Sequence, residues 1–359
     1  MKEKIISGLQ QIGVGVNDVH KVWGWYKKYF GLDVRVFEET AVAELMLPYT
    51  GGLPQKRHAA LAINLQGGGG FEIWQYTDRI PEAVGFKIMT GDLGIFAAKI
   101  KSKNVKTTFE WYKSEGLDLL GGISEIAGTE HFFVRDPYNN IFQIVSSNNW
   151  FLNEKKITGG SYGAIVGVSD IEKSKEFYKD ILGYDEVIFD QTEIFPDLSD
   201  LPGGKNKFRR VILKHSKPRR GAFSRILGTS QIELIQVLDR KPVKIFQNRF
   251  WGDLGFIHLC FDIHGMELFR EECKTKGCPF TVDTGNSFDM GEAAGAFAYI
   301  EDPDGTLIEF VETHKIPILK KFGIYLNLQK RDPGKALPNW MLKTLSFNKA
   351  SDIKMEKAG

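Results

Sequence analysis

The feature that most restricts this chain is an internal repeat, because a chain written twice on one plan must fold into related units. Residues 16–33 read Val-Asn-Asp-Val-His-Lys-Val-Trp-Gly-Trp-Tyr-Lys-Lys-Tyr-Phe-Gly-Leu-Asp. Residues 168–185 read Val-Ser-Asp-Ile-Glu-Lys-Ser-Lys-Glu-Phe-Tyr-Lys-Asp-Ile-Leu-Gly-Tyr-Asp, at a constant offset of 152. A second pair follows at offset 166, Asp136-Pro-Tyr-Asn-Asn-Ile-Phe-Gln143 and Asp302-Pro-Asp-Gly-Thr-Leu-Ile-Glu309. Two repeated halves are therefore expected at residues 1–150 and 151–313, joined near 148–160. An extension, 314–359, carries apolar clusters such as Phe322-Gly-Ile-Tyr-Leu and Pro338-Asn-Trp-Met-Leu and is expected to pack on the body.

Local patterning gives each half the same plan. Residues 9–16 alternate as a strand, Asp18 is placed to cap a helix, and Val22, Trp25, Tyr26, Tyr29 and Phe30 recur at helical spacing. Gly31 stops that helix, and strand-like runs follow near 33–39, 57–65 and 71–76. A second such unit is predicted over 93–146, with a helix near 105–115 and a last strand from Ile141 to Val145. The C-terminal half repeats this with strand 163–168, helix 170–182, strands to 237, strand 256–263, helix 265–276 and strands 296–300 and 307–312. The predicted class is α+β: four β-α-β-β-β units paired into two cupped mixed sheets.

Composition removes several functions. A chain of 359 residues with 42% hydrophobic and 26% charged residues buries a sizeable core without disulfides, and no run reaches the roughly 18–20 apolar residues of a membrane helix. A formal net charge of +2 points to no nucleic-acid or membrane partner. Three cysteines, Cys260, Cys273 and Cys278, and an N-terminus that turns polar early read as a reduced, cytoplasmic protein. The expected partner is a small-molecule substrate, and two fused halves make either a monomeric pseudo-dimer or a homodimer.

Three motifs carry a family resemblance: Val168-Ser-Asp-Ile-Glu-Lys-Ser with Phe177-Tyr178 and Leu182-Gly183; Gly255-Phe-Ile-His258; and Asp302-Pro-Asp-Gly-Thr-Leu-Ile-Glu309. The chain resembles the vicinal oxygen chelate superfamily, which includes glyoxalase I, methylmalonyl-CoA epimerase, extradiol dioxygenases and bleomycin-resistance proteins. The resemblance implies that two units share one divalent metal, each giving a ligand from its first strand and one from its last. Those positions fall on Gln11 and Glu72 in unit one, Ala97 and Gln143 in unit two, Gly163 and Glu233 in unit three, and His258 and Glu309 in unit four. The spacing from Glu72 to Ala97 equals that from Glu233 to His258, which supports this register.

Donor chemistry then ranks the pairings. A first-row dication wants imidazole or carboxylate donors and an open position for substrate. Units one and four together offer Gln11, Glu72, His258 and Glu309, a set that resembles the metal set of one glyoxalase I class. Units three and four offer Glu233, His258 and Glu309. The first pairing is favoured, and His258 and Glu309 are common to both. The metal would be Zn, Ni, Co, Mn, Mg or Fe. The other histidines, His20, His58, His131, His215, His264 and His314, lie off the ligand register.

The resemblance implies a lyase or isomerase, glyoxalase- or epimerase-like. It would move an α-proton of a small carbonyl or thioester compound through an enolate or enediolate stabilised by the dication, with Glu309 as base and Glu72 as second proton carrier. Ring cleavage needs a 2-His-1-carboxylate site, and only one histidine is in register. A metal-free ligand-binding protein of the same fold is the rival. Where glyoxalase I carries an arginine for glutathione, this chain has Gly15, and Gly167 in the other half. Gly67–Gly70 is expected as a hairpin turn, the basic run from Lys205 to Arg220 as a solvated hairpin or an anchor for an anionic carrier, and 285–295 as a lid.

Overall fold

The computed structural model describes residues 3–285, 288–289, 294–319 and 324–355. Unit one comprises β1 (Ile5–Gly15), α1 (Val19–Phe30), β2 (Val34–Ala43), β3 (Gln55–Ile63) and β4 (Gly70–Tyr76). Unit two comprises β5 (Gly94–Ser102), α2 (Val105–Ser114), β6 (Asp118–Ile126), β7 (Thr129–Arg135) and β8 (Ile141–Ser146). Unit three holds β9 (Thr158–Gly167), α3 (Ile171–Leu182), β10 (Glu186–Glu193), β11 (Phe208–Lys214), the short α4 (Ser224–Leu227) and β12 (Gln231–Val237). Unit four holds β13 (Gly255–His264), α5 (Met266–Thr275), β14 (Val282–Asp283), β15 (Phe288–Asp289), β16 (Ala294–Glu301) and β17 (Leu307–Leu319). β18 (Ile324–Asn327) and α6 (Asn339–Lys343) follow.

Helices α1 and α3 begin and end where the sequence provides caps. Asp18 accepts from Lys21 N and Asp170 from Glu172 N and Lys173 N, while Gly31 and Gly183 close α1 and α3 at φ 66° and 71°. Gly67–Gly70 does form the β3–β4 turn, where the Asn64 side chain accepts from Gln66 N and Gly67 N.

The units pair across the halves. One sheet runs β14-β16-β17-β13-β1-β4-β3-β2 and so joins units four and one. The other runs β10-β11-β12-β9-β5-β8-β7-β6 and joins units three and two. Each is a mixed, cupped sheet: first strands meet antiparallel at the centre (β1 with β13, β5 with β9), and each first strand pairs parallel with its own unit's last strand. One apolar layer, with Ile12, Phe30, Phe71, Phe142, Ala164, Tyr178, Phe261 and Phe310, is shared by all four units behind the cups.

The repeated motifs turn out to be partners of one another. Tyr26 of α1 donates its hydroxyl to Asp136 at 2.9 Å, and Tyr178 of α3 donates to Asp302 at 3.2 Å. Each aspartate also holds its own turn, accepting from Tyr138 N and Asn140 N or from Asp304 N and Thr306 N. Helix-to-turn contacts thus bind the units within a half, while strand pairing binds units between halves. The extension lies on this body. Leu328, Leu337 and Leu342 pack with Val34, Leu61 and Ile63, and Lys27 donates to Ile353 O at 2.8 Å.

Lys205, Lys207, Lys217 and Arg220 of the basic run are exposed, as expected of a solvated strand and turn, but Arg210 departs from that reading. Arg210 on β11 is fully buried and paired with Asp197 and Glu233, because strand alternation turns it inward while Arg209 stays at the edge with Asp190. Most of the expected lid, 286–287 and 290–293, lies outside the described residues.

Tyr26→Phe and Tyr178→Phe should each lower the unfolding free energy by about 1–3 kcal/mol, measured by urea denaturation, since a buried carboxylate loses a donor. Burial raises Asp136 and Asp302 to about 6, despite the donors that oppose it. A carboxyl raised in the folded state contributes stability that is present in acid and lost as pH rises through about 6. Replacing both by Asn should flatten that part of the stability profile.

Candidate metal centre

Gln11 on β1, Glu72 on β4, His258 on β13 and Glu309 on β17 converge in the cup of the sheet joining units one and four. Strand register accounts for this: Gly13 lies opposite both His258 and Glu72, Gln11 opposite Cys260, and Cys260 beside Glu309. His258 Nε2 lies 3.1 Å from Glu309 Oε2 and 3.4 Å from Glu72 Oε2, and Gln11 Nε2 donates to Glu72 Oε2 at 3.4 Å. All four side chains are buried, His258 completely. Glu233 is not brought to this place; it sits in the other sheet, so the Glu233, His258 and Glu309 set is not assembled.

Gly13 makes room for the imidazole. A Cβ there would stand 2.3 Å from His258 Cε1, so any other residue would displace the ring. Gly15 is equally constrained, since its Cβ would meet Asp253 O at 2.0 Å. The loop that crosses Gly15 also brings Trp251 beside His258, with ring planes 12° apart, and Tyr299 meets the same imidazole edge-on at 5.5 Å. Tyr76 donates its hydroxyl to Trp251 O, which fixes this wall of the cup.

The donor set fits a dication. His258 Nδ1 and Nε2, Glu309 Oε2 and Gln11 Oε1 are buried without a hydrogen-bond partner, although Nε2 is within ion-pair distance of both carboxylates. Orphaned polar atoms are costly inside a protein unless something satisfies them. Ligands held about 2.0–2.2 Å from one ion stand roughly 3.0–3.5 Å apart, the range of these separations. Without an ion, burial alone would push the His258 imidazolium down, but the charges of Glu309 and Glu72 hold it up at about 9. Glu72 is in turn held below the usual carboxylate range: burial acts upward, and His258, Arg57 and Gln11 outweigh it.

The second cup carries the same positions with different chemistry. Ile165 and Ala97 face each other where Gly13 and His258 do, and both are fully or nearly fully buried in an apolar cluster. Glu233 stands at the position of Glu72. It accepts from Lys99 Nζ at 2.6 Å and from Arg210 Nε. Arg210 also reaches Asp197 at 2.7 Å, and His131 Nε2 lies 3.0 Å from the same carboxylate. Arg210 and Lys99 hold Glu233 below its ordinary range against the effect of burial. Protein cations thus supply there the charge that a metal would supply in the first cup. The space left beside Lys99, His131 and Gln143 is about 10 Å³, room for roughly one water.

Sequence reasoning missed the anchors of the loops over the cups. Asp253 accepts from Arg79, Glu82 N and Phe250 N, and Asp92 accepts from Arg240, Val243 N and Met89 N. These two sets match residue for residue at an offset of 161, a third repeat signal that aligning the halves at that spacing would have found.

Residues 162–310 match the model of the Glyoxalase/Bleomycin resistance protein/Dioxygenase superfamily. That segment, within the C-terminal half, is a domain of the superfamily, and the two cupped sheets fit a tandem arrangement of such units. The chain's fold is similar to that of glyoxalase I from Zea mays, at 15% identity and a TM-score of 0.52, over 86% of this chain and 92% of that one. It is also similar to a proposed dioxygenase from Bacillus subtilis, at 14% identity and a TM-score of 0.55, over 86% of each chain. At that identity the likeness concerns the fold alone. No curated protein matches the sequence. Among the described residues no helix is long and apolar enough to cross a membrane.

The His258 environment gives a pH prediction for metal-free protein. An imidazole raised to about 9 from an ordinary value near 6.5 contributes stability that is complete below about 6.5 and lost as pH rises through about 9. Thermal melts across that window should show the loss. Glu309→Gln removes the first of the two charges that sustain it, so the variant's melting temperature should vary less with pH.

Proposed function

We propose that this protein is a metal-dependent lyase or isomerase that moves a proton on the α-carbon of a small carbonyl or thioester compound. The observation that carries the proposal is the convergence of His258, Glu309, Glu72 and Gln11, with buried donor atoms left unpartnered. These four residues would hold the dication. When bound, it would supply positive charge to the oxygen on which an enolate develops. Glu309 Oε2, buried and without a hydrogen bond, is the group that would take the α-proton. Glu72, on the neighbouring unit and ionised at the outset, would take a proton from the substrate's hydroxyl and return it to the neighbouring carbon, while Glu309 gives its proton to the enolate oxygen, so that both carboxylates are regenerated. Trp74, Trp251 and Tyr299 wall the cup, and that burial would exclude water from the proton while it is held.

Two details narrow the chemistry. The centre has one histidine, which suits proton transfer and falls short of the 2-His-1-carboxylate set of iron ring-cleaving sites. The Asp253 backbone lies against Gly15, where the resemblance implies an arginine for glutathione, so a substrate carried on another handle fits better.

The test is metal analysis and α-proton exchange in deuterated water, on wild type, His258→Ala and Glu309→Gln after dialysis against mixed divalent ions. Wild type should retain metal at this centre. His258→Ala should lose affinity by on the order of 10–100-fold or more. Glu309→Gln keeps an oxygen donor but no base, so exchange should stop while part of the metal remains. A wild type that binds no more metal than His258→Ala would replace this proposal with a metal-free ligand-binding protein.

A further inference from the structure

Among the described residues a second group of metal-ligating side chains lies on the opposite face of the same sheet, away from the cup: His20, Glu38 and His58. They come from three elements, α1, β2 and β3. His20 Nε2 lies 2.5 Å from Glu38 Oε1, and His58 Nε2 lies 3.1 Å from the same oxygen. The two imidazoles stand edge to face with centroids 5.3 Å apart. Their chain positions conceal the group, since none lies in the ligand register of the repeat.

We propose that His20, Glu38 and His58 form a second divalent-metal site, taking a first-row dication such as Zn²⁺ and clamping helix α1 to the edge strand β2. Two imidazoles and one carboxylate are the donors that suit zinc, and three protein ligands leave a fourth position for solvent. The open side exists: the His20 side chain is 56% exposed, while those of Glu38 and His58 are 19% and 21% exposed.

The surroundings orient the carboxylate for this task. Arg35 Nε occupies the other oxygen, Glu38 Oε2, at 2.9 Å, which leaves Oε1 alone to face the two nitrogens. An ion pair on its outer oxygen restrains a metal-ligating carboxylate. Arg35 is itself held by Asp352 of the C-terminal extension at 2.5 Å and lies over the Trp23 ring. A bound cation would therefore tie together α1, the exposed sheet edge and the extension that covers it. The rival is a plain pair of imidazole–carboxylate contacts, which needs no ion and gives no affinity for one.

The experiment measures Zn²⁺ bound per chain, by equilibrium dialysis and calorimetric titration. The proteins compared are wild type, His258→Ala, Glu38→Gln and the double variant His20→Ala/His58→Ala. The double variant should bind one equivalent fewer than wild type, whether or not the buried centre takes metal. In the His258→Ala protein the surface site should remain, and Zn²⁺ should raise its melting temperature. Glu38→Gln keeps the shape and an acceptor for the imidazoles, and it should weaken that binding by about 10-fold or more. All four are checked for folding by metal-free melting curves, and Glu38→Gln alone suffices if the double variant unfolds. Equal stoichiometry and affinity in wild type and Glu38→Gln would overturn the proposal. Loss of metal in His258→Ala with none in Glu38→Gln or the double variant would likewise overturn it and leave the buried centre as the one that binds.

Discussion

Everything in the candidate centre depends on one antiparallel contact, β1 with β13, which joins the first strand of unit one to the first strand of unit four. Its register sets Gly13 against His258, and only a residue without a Cβ leaves room for the ring. The parallel pairing of each first strand with its own last strand then carries Glu72 and Glu309 in from either side. A slip of one residue would turn every one of these side chains to the opposite face. The centre is therefore a property of two halves read together. Neither half alone contains the set.

The two cups are a controlled comparison on one scaffold. Both bury a carboxylate at the same place, and a buried carboxylate must be compensated. In the second cup Lys99 and Arg210 do this from within the chain, and Ile165 and Ala97 fill the space of the imidazole. In the first, Cys260 and Ala59 stand where Lys99 and Arg210 would be, and among the described residues His258 is the cation within ion-pair distance of Glu72 and Glu309, with Arg57 acting on Glu72 from farther away. That difference, argued from charge and volume, separates a cup suited to a dication from one that excludes it.

Much of this was legible in the sequence because it was written twice. Asp18 and Asp170, Gly31 and Gly183, and the Asp-Pro turns at 136 and 302 mark capped helices and turns that local chemistry alone determines. The pairing of units was less accessible, since a repeat offset says nothing about which strand edges meet. Donor chemistry selected it, because Gly163 and Ala97 have nothing to offer a metal. The inward turn of Arg210 was lost in a run of basic residues whose charge suggested solvent. His20, Glu38 and His58 meet only through packing of a helix on a sheet, which no spacing rule encodes. The Asp92 and Asp253 anchors were hidden by loops of differing sequence around them.

The most direct measurement of the central claim is anomalous diffraction at the Mn edge from crystals of the full chain soaked in Mn²⁺. A peak about 2.0–2.2 Å from His258 Nε2 and from carboxylate oxygens of Glu309 and Glu72, with none beside Glu233, is the predicted result. A peak in the cup of Lys99 and Glu233, or none between Glu72, His258 and Glu309 at saturating Mn²⁺, would contradict it.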